Sequence, residues 1–312
     1  MEPRKVLFID TVHDILWNRL LKNGYQCIDG TSLIETEVKH VLFDCFGLVI
    51  RSRFRVNESF LKSAGELKFV ARSGSGLENI DQVYCKKKGI KIISSPEGNA
   101  PAVAEHALAL ILSLFNKIHL GHVNMLNGVW DREMHRGLEL SSKRVGIIGY
   151  GHTGKAFARV LSGLGCKVYA HDIDASLRSD SYAELVTLEE LKENCDVISI
   201  HLPLSDDTMN YVNKEFIDSV EHPFYLINTA RGAHVEYKAL LGGLESGKVL
   251  GACMDVHAVE KSSFEKLDLN EDFEKIKQRN NVLLTPHVAG WTVESYERLS
   301  SVLADKIEAE FS

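Results

Sequence analysis

Three side chains of this sequence, Arg231, Glu260 and His287, stand where they could hold a carboxylate and move a proton. Arg231 lies in Asn228-Thr229-Ala230-Arg231-Gly232, directly after the strand-like run Tyr225-Leu-Ile. A guanidinium at a strand's carboxyl end sits where open α/β sheets take ligands, and it can pair with a carboxylate and polarise the adjacent carbonyl. Position alone does not separate this role from that of an exposed loop arginine. Glu260 follows the run Met254-Asp255-Val256, and His287 follows Val282-Leu-Leu within Thr285-Pro286-His287. An imidazole beside a carboxylate moves protons near neutral pH, because the acid favours the charged ring and fixes its tautomer. The chain holds 13 histidines, so His287 is marked by its place after a strand and not by its type.

A second motif binds rather than reacts. Gly149-Tyr-Gly151-His152-Thr153-Gly154 stands between the run Val145-Gly-Ile-Ile and a helical pattern. In that setting Gly149 makes the tight turn, Gly151 lets the backbone approach a pyrophosphate, and Gly154 permits close helix–strand packing. The helix start would then hold the phosphates through its free N–H groups and dipole. The next strand ends in Asp172, 18 residues after Gly154, where a carboxylate can accept from ribose hydroxyls. A carboxylate there repels a 2'-phosphate, which favours NAD over NADP; Arg178 is too far along to reverse this.

The elements that must carry these groups read as two α/β series. The first alternates apolar runs (Val6 to Ile9, Leu48 to Ile50, Leu67 to Ala71, Ile90 to Ile93) with helical patterns over Ile15 to Lys22 and Ile80 to Lys88, ending at Gly24 and Gly89. Pro96 and Pro101 bracket a loop-like Glu97-Gly98-Asn99-Ala100, and Pro101 is expected to open a buried, nearly all-apolar helix through Phe115 that joins the lobes and is too short for a bilayer. The second series has six strand-like runs, beginning at Val145, Val168, Val197, Tyr225, Gly251 and Val282. A last helix, about Val293 to Phe311, is expected to return to the first lobe. The fold expected is therefore α/β with two Rossmann-like domains: a flavodoxin-like substrate domain over 1–100 and 286–312, and a doubly wound NAD-binding domain over 101–285.

Composition agrees with such a molecule, since 312 residues with 45% hydrophobic and 25% charged side chains suffice for two domains. A formal charge of −7 gives no general attraction to nucleic acid or an anionic membrane. Six cysteines without metal-ligand spacing read as buried thiols, so no metal is expected. With no cleavable leader pattern at the start, a cytoplasmic location is expected.

Taken together, the glycine loop with Asp172, Asn-Thr-Ala-Arg231-Gly, Asp255-Val with Glu260 five residues on, and Thr-Pro-His287-Val-Ala-Gly resemble the D-isomer-specific 2-hydroxyacid dehydrogenases, in the family's order and over about residues 5 to 300. The resemblance implies that Arg231 binds substrate, that Glu260 hydrogen-bonds His287, and that His287 exchanges the hydroxyl proton. It implies that Ser75, His152, Thr153, Asp172, Leu202, Pro203, Thr208, Thr229, Ala230, Asp255, Ala289 and Gly290 line NAD with the three glycines. A homodimer built through the nucleotide domain is implied as well.

Three arginines in Ile50-Arg51-Ser52-Arg53-Phe54-Arg55, and Arg72 in Ala71-Arg72-Ser73-Gly74, bear on which acid is used. Arg51 and Arg72 match positions that the family members acting on 3-phosphoglycerate use for substrate, Asn99 sits in their loop as Glu97-Gly98-Asn99, the backbone near Ser73 and Gly74 is expected to hold the acid, and Arg132 resembles a residue reaching across their dimer. Oxidation of 3-phosphoglycerate by NAD, a step of serine biosynthesis, is the implied reaction. Reduction of glyoxylate, hydroxypyruvate or pyruvate is the nearer alternative, and an NAD-sensing corepressor scaffold of the same fold the further one. Arg53 and Arg55 read as a solvated basic edge. The chain departs from the family at His152-Thr153, where an Arg-Ile type is usual, and at Lys261, where proline is. After the catalytic core no further run reads as a regulatory domain, so feedback control of the kind found in longer relatives is not expected.

Overall fold

The computed structural model describes residues 3–260 and 270–311. They divide into two units, one running up to Ala100 and resuming at Trp291, the other spanning Pro101–Gly290. The return therefore falls at Trp291 and not at Pro286. Residues through Ala289 are tied to the second unit, because the Asp255 carboxylate accepts from the Val288 and Ala289 amides.

The first unit holds a parallel sheet of β1 (Lys5–Phe8), β2 (Gln26–Asp29), β3 (Gly47–Ile50), β4 (Phe69–Arg72) and β5 (Lys91–Ser94), in the order β2-β1-β3-β4-β5. This is the flavodoxin-like order. All four residues of β3 are buried, as a strand covered on both faces requires. β2 is absent from the sequence-based expectation because Gln-Cys-Ile-Asp is a half-exposed edge with no apolar run to reveal it. The final helix, Val293–Phe311, does return here and buries Leu303, Ala304 and Ile307 among Val6, Phe8, Leu16 and Leu20.

The second unit holds β6 (Arg144–Ile148), β7 (Lys167–His171), β8 (Glu184–Leu185), β9 (Val197–Ile200), β10 (Phe224–Asn228), β11 (Val249–Met254) and β12 (Val282–Leu284). They form one parallel sheet, β12-β11-β10-β9-β6-β7-β8. The sheet has seven strands instead of the six expected, since β8 is two residues long and leaves no periodic trace. The order reverses between β6 and β9, and ligands bind outside the carboxyl ends of strands at such a point.

The connecting helix corrects the sequence reading. It begins at Pro96, runs to Phe115, and has Pro101 inside it. Its first turn is held by the last helix: Gly98 packs backbone to backbone on Leu299, Arg298 Nε donates to the Gly98 carbonyl at 3.1 Å, and Lys306 reaches Glu97 at 2.9 Å. Those contacts outweigh the N–H that Pro101 cannot give. At 20 residues the helix is long and apolar enough to cross a bilayer by length and composition, yet 56% of that stretch is buried, as in a core helix. Ala104, Ala107, Leu110, Ile111 and Leu114 join the second unit's core. All six cysteines are free thiols, four of them buried.

Candidate active site

The glycine loop leaves β6 at the point where the strand order reverses. Gly149 has φ +95°, and a Cβ there would lie 2.7 Å from the His201 carbonyl oxygen at the end of β9. A Cβ on Gly154 would lie 2.1 Å from the Gly149 oxygen, so the helix His152–Ser162 starts flush against the turn. Gly151, its N-cap, has nothing within 4 Å of a Cβ position, which is an open face for a phosphate to approach the backbone. Asp172 accepts from the Tyr150 amide at 2.7 Å and the Asp174 amide at 2.9 Å. Those bonds hold the carboxylate beside the loop, where it can accept from a ribose.

Further lining groups fit a dinucleotide. The Thr229 hydroxyl is buried without a partner among the described residues, as expected of an atom awaiting a ligand. Leu202 and Pro203 continue the β9 loop, and Thr208 closes it by donating to the Pro203 carbonyl at 2.7 Å. Arg178 turns onto the carbonyls of Ala175 and Leu177, both at 2.7 Å, and so leaves the preference for NAD in place. His152 is exposed at the helix start, and Thr153 meets buried His201, whose other nitrogen meets Ser199 at 2.9 Å. Burial pushes the His201 pKa down to about 3, so this brace is neutral.

Arg231, Glu260 and His287 come from the loops after β10, β11 and β12, which are neighbours in the sheet. Asn228 shapes the first loop by accepting from the Ala230 amide at 3.1 Å and donating to the Arg231 carbonyl at 2.8 Å. Gly232 presses this loop onto the second, since a Cβ there would lie 2.0 Å from the His257 carbonyl carbon. One Glu260 oxygen takes the His257 amide, and the other meets His287 Nδ1 at 2.7 Å. His287 itself is left-handed, at φ +54°, a conformation that a bulky side chain adopts only where the surroundings impose it.

Asp255 imposes it. Its carbonyl accepts the His287 amide at 2.7 Å, and its carboxylate accepts from Thr285 Oγ1 at 2.6 Å, Val288 N at 3.0 Å and Ala289 N at 2.8 Å. His106, from the connecting helix, meets the Thr285 hydroxyl at 3.0 Å. Because that hydroxyl donates to Asp255, the His106 nitrogen must donate to it. Burial would raise the Asp255 pKa, but the bonds from His106, Thr285 and the two amides prevail and hold it at about 2. A folded value below the ordinary one means stability present above about pH 4 and lost as pH falls toward 2. Asp255→Asn is therefore expected to cost about 2 kcal/mol at pH 7, with the deficit shrinking by pH 3 in denaturant titrations. An equal deficit at both pH values would contradict this.

The first unit carries its own set of groups at the ends of β3 and β4, where Ile50 pairs with Arg72. The Arg72 guanidinium lies against Gly74, where a Cβ would come within 1.5 Å of it. The Gly74 amide donates to Ser95 Oγ at 3.2 Å. Ser73 Oγ and Asn99 Oδ1 are buried without partners among the described residues, which suits ligand contacts; Ser75 nearby is half-buried. Arg51 stacks on Trp291 at 4.2 Å. Arg53 is not part of a merely solvated edge: it donates to the carbonyls of Ile9, Gly30, Thr31 and Leu33 and so clamps the ends of β1 and β2. Arg132 is exposed. The expected loop change at Lys261 lies outside the described residues.

Motif and spacing do not single out His106, Trp291 or His201. His106 did carry a signal, as the polar interruption in the apolar run Ala102 to Phe115. Trp291 stands four residues after His287 without any pattern of its own.

Residues 108–289 match the family model described as D-isomer specific 2-hydroxyacid dehydrogenase, NAD binding domain. Over 94% of its length the chain is 34% identical to the hydroxypyruvate reductase of Thermotoga maritima, of which it covers 94%. It is 33% identical to the D-3-phosphoglycerate dehydrogenase of Haemophilus influenzae, over 98% of this chain and 75% of that one. The fold is similar to a crystal structure of D-lactate dehydrogenase from Aquifex aeolicus complexed with NAD and lactic acid, with TM-score 0.79 and 27% identity over 98% and 95% of the two chains.

Proposed function

We propose, from the premise that this chain belongs to the D-isomer specific 2-hydroxyacid dehydrogenases, that it interconverts 3-phosphoglycerate and 3-phosphohydroxypyruvate. The family makes it an NAD-dependent oxidoreductase of 2-hydroxy acids; the identity of the acid is our reading. The 2.7 Å contact of His287 with Glu260, beside the Arg231 loop, supports the oxidoreductase chemistry, and the pair Arg51 and Arg72 supports the choice of acid.

A bound nicotinamide would supply the redox chemistry, with hydride leaving the alpha carbon for NAD in oxidation and returning to it from NADH in reduction. Arg231 pairs with the substrate carboxylate and polarises the neighbouring carbonyl toward reduction. Glu260 holds Nδ1 of His287 and so orients the ring, and Nε2 takes the hydroxyl proton in oxidation and returns it in reduction. Asp255 fixes the turn from which the imidazole projects.

Arg51 and Arg72, at adjacent strand ends, supply the cations that a phosphate needs, and the Haemophilus relative's name agrees. The Thermotoga relative favours a second reading, with unphosphorylated hydroxypyruvate as substrate. Measured with NADH, kcat/KM for 3-phosphohydroxypyruvate is expected to exceed that for hydroxypyruvate, glyoxylate or pyruvate at least about tenfold, the value of one well-made charged contact. Equal or better turnover of an unphosphorylated acid would favour the second reading. A homodimer belongs to the proposal: the apolar helix Ile118–Leu126 buries none of its residues, and exposed Trp130 and Arg132 follow it.

A further inference from the structure

We infer that Trp291 is a specificity-determining residue, whose ring holds the Arg51 guanidinium in position for an anionic group of the substrate. This rests on the reading of Arg51 as a substrate contact, and it explains how an arginine can be fixed without being neutralised.

The Arg51 backbone is pinned on both sides. Its amide donates to Asp10 Oδ2 at 2.6 Å, its carbonyl accepts from Asn79 Nδ2 at 3.3 Å, and the amides of Ser52 and Arg53 also turn toward Asp10. That carboxylate is thus engaged with the main chain. Among the described residues the Arg51 guanidinium makes no ion pair and no hydrogen bond; what it meets are rings, Trp291 at 4.2 Å and Tyr296 at 5.9 Å from the centroid. Burial pulls its pKa down, the mark of a cation partly withdrawn from water.

Stacking occupies the flat face of a guanidinium and leaves the N–H donors at its edge, which is the part that matches carboxylate or phosphate oxygens. Arg53, two residues on, shows the contrast, because its edge is filled by main-chain carbonyls. Trp291 is itself 53% exposed, so the stack is open to solvent on one side and an anion can reach the edge of Arg51.

The test combines Trp291→Ala, Trp291→Phe, Arg51→Ala and the Ala double variant. Kinetics are run on the best acid from the panel above, and intrinsic fluorescence is titrated with 3-phosphoglycerate and with inorganic phosphate without NADH. Trp291→Ala should raise KM about tenfold with kcat little changed, and Trp291→Phe should recover most of the loss. The double variant should be no worse than Arg51→Ala, as for two residues acting as one unit. The wild-type emission should respond to 3-phosphoglycerate, and that response should be absent in Trp291→Phe. If Trp291→Ala unfolds, Trp291→Leu and the fluorescence titration decide the matter. An unchanged KM in the Trp291 variants, alongside a raised KM in Arg51→Ala, would overturn the inference yet leave Arg51 as a substrate contact. A preference for an unphosphorylated acid would instead overturn the proposed substrate, and the KM comparison would still judge the stack.

Discussion

Replacing Arg231 with Gln is expected to lower kcat/KM for the preferred 2-oxo acid by about a thousandfold, with NADH affinity within about threefold of wild type. One donor aimed at developing charge is commonly worth about a hundred- to a thousandfold, and this side chain would both bind the carboxylate and polarise the reacting carbonyl. Arg231→Lys should recover only a small part, because an ammonium cannot present two parallel N–H groups to a carboxylate. The loop itself should survive, since the bonds from Asn228 to main-chain atoms of residues 230 and 231 remain when the one from Arg231 Nη1 to the Ala230 carbonyl, at 2.7 Å, is lost. Steady-state kinetics with a parallel fluorescence titration of NADH check this. A loss below about tenfold would remove Arg231 from the chemistry.

Much of this site could be read from the sequence because its parts obey local rules. The glycine loop declared itself by three positions with separate steric demands, and the structure shows each: the positive φ of Gly149, the open face of Gly151 and the tight contact of Gly154. Arg231 and His287 were visible as polar residues directly after apolar strands. What stayed hidden depends on contacts distant in sequence. β2 and β8 lack apolar runs because they lie at sheet edges, where burial asks little of them. The start of the connecting helix is not legible from Pro101, because its first turn is held by Arg298 and Lys306, some 200 residues away. The same distance hides the bracing of Asp255 and Thr285 by His106, and no spacing rule links Arg51 to Trp291.

His287 carries the proton transfer in this site. Its left-handed backbone is held by Asp255, its Nδ1 by Glu260, and neither depends on NAD. A positioned general acid–base typically contributes about a hundred- to ten-thousandfold, so His287→Ala should lose turnover on that scale in both directions. Glu260→Gln should lose less, since the amide keeps an acceptor for Nδ1 and replaces only a charge-assisted hydrogen bond by a neutral one. NADH binding should persist, because the glycine loop, Asp172 and Thr229 lie on other loops of the same sheet.

The decisive measurement takes one preparation of His287→Ala and determines both its NADH dissociation constant, by fluorescence titration, and its kcat with the preferred 2-oxo acid. A dissociation constant within about threefold of wild type, together with a kcat reduced about a thousandfold, is the result expected from proton transfer at this imidazole. Turnover within about tenfold of wild type, with NADH still bound, would mean that the proton moves elsewhere and that the assignment of this loop is wrong.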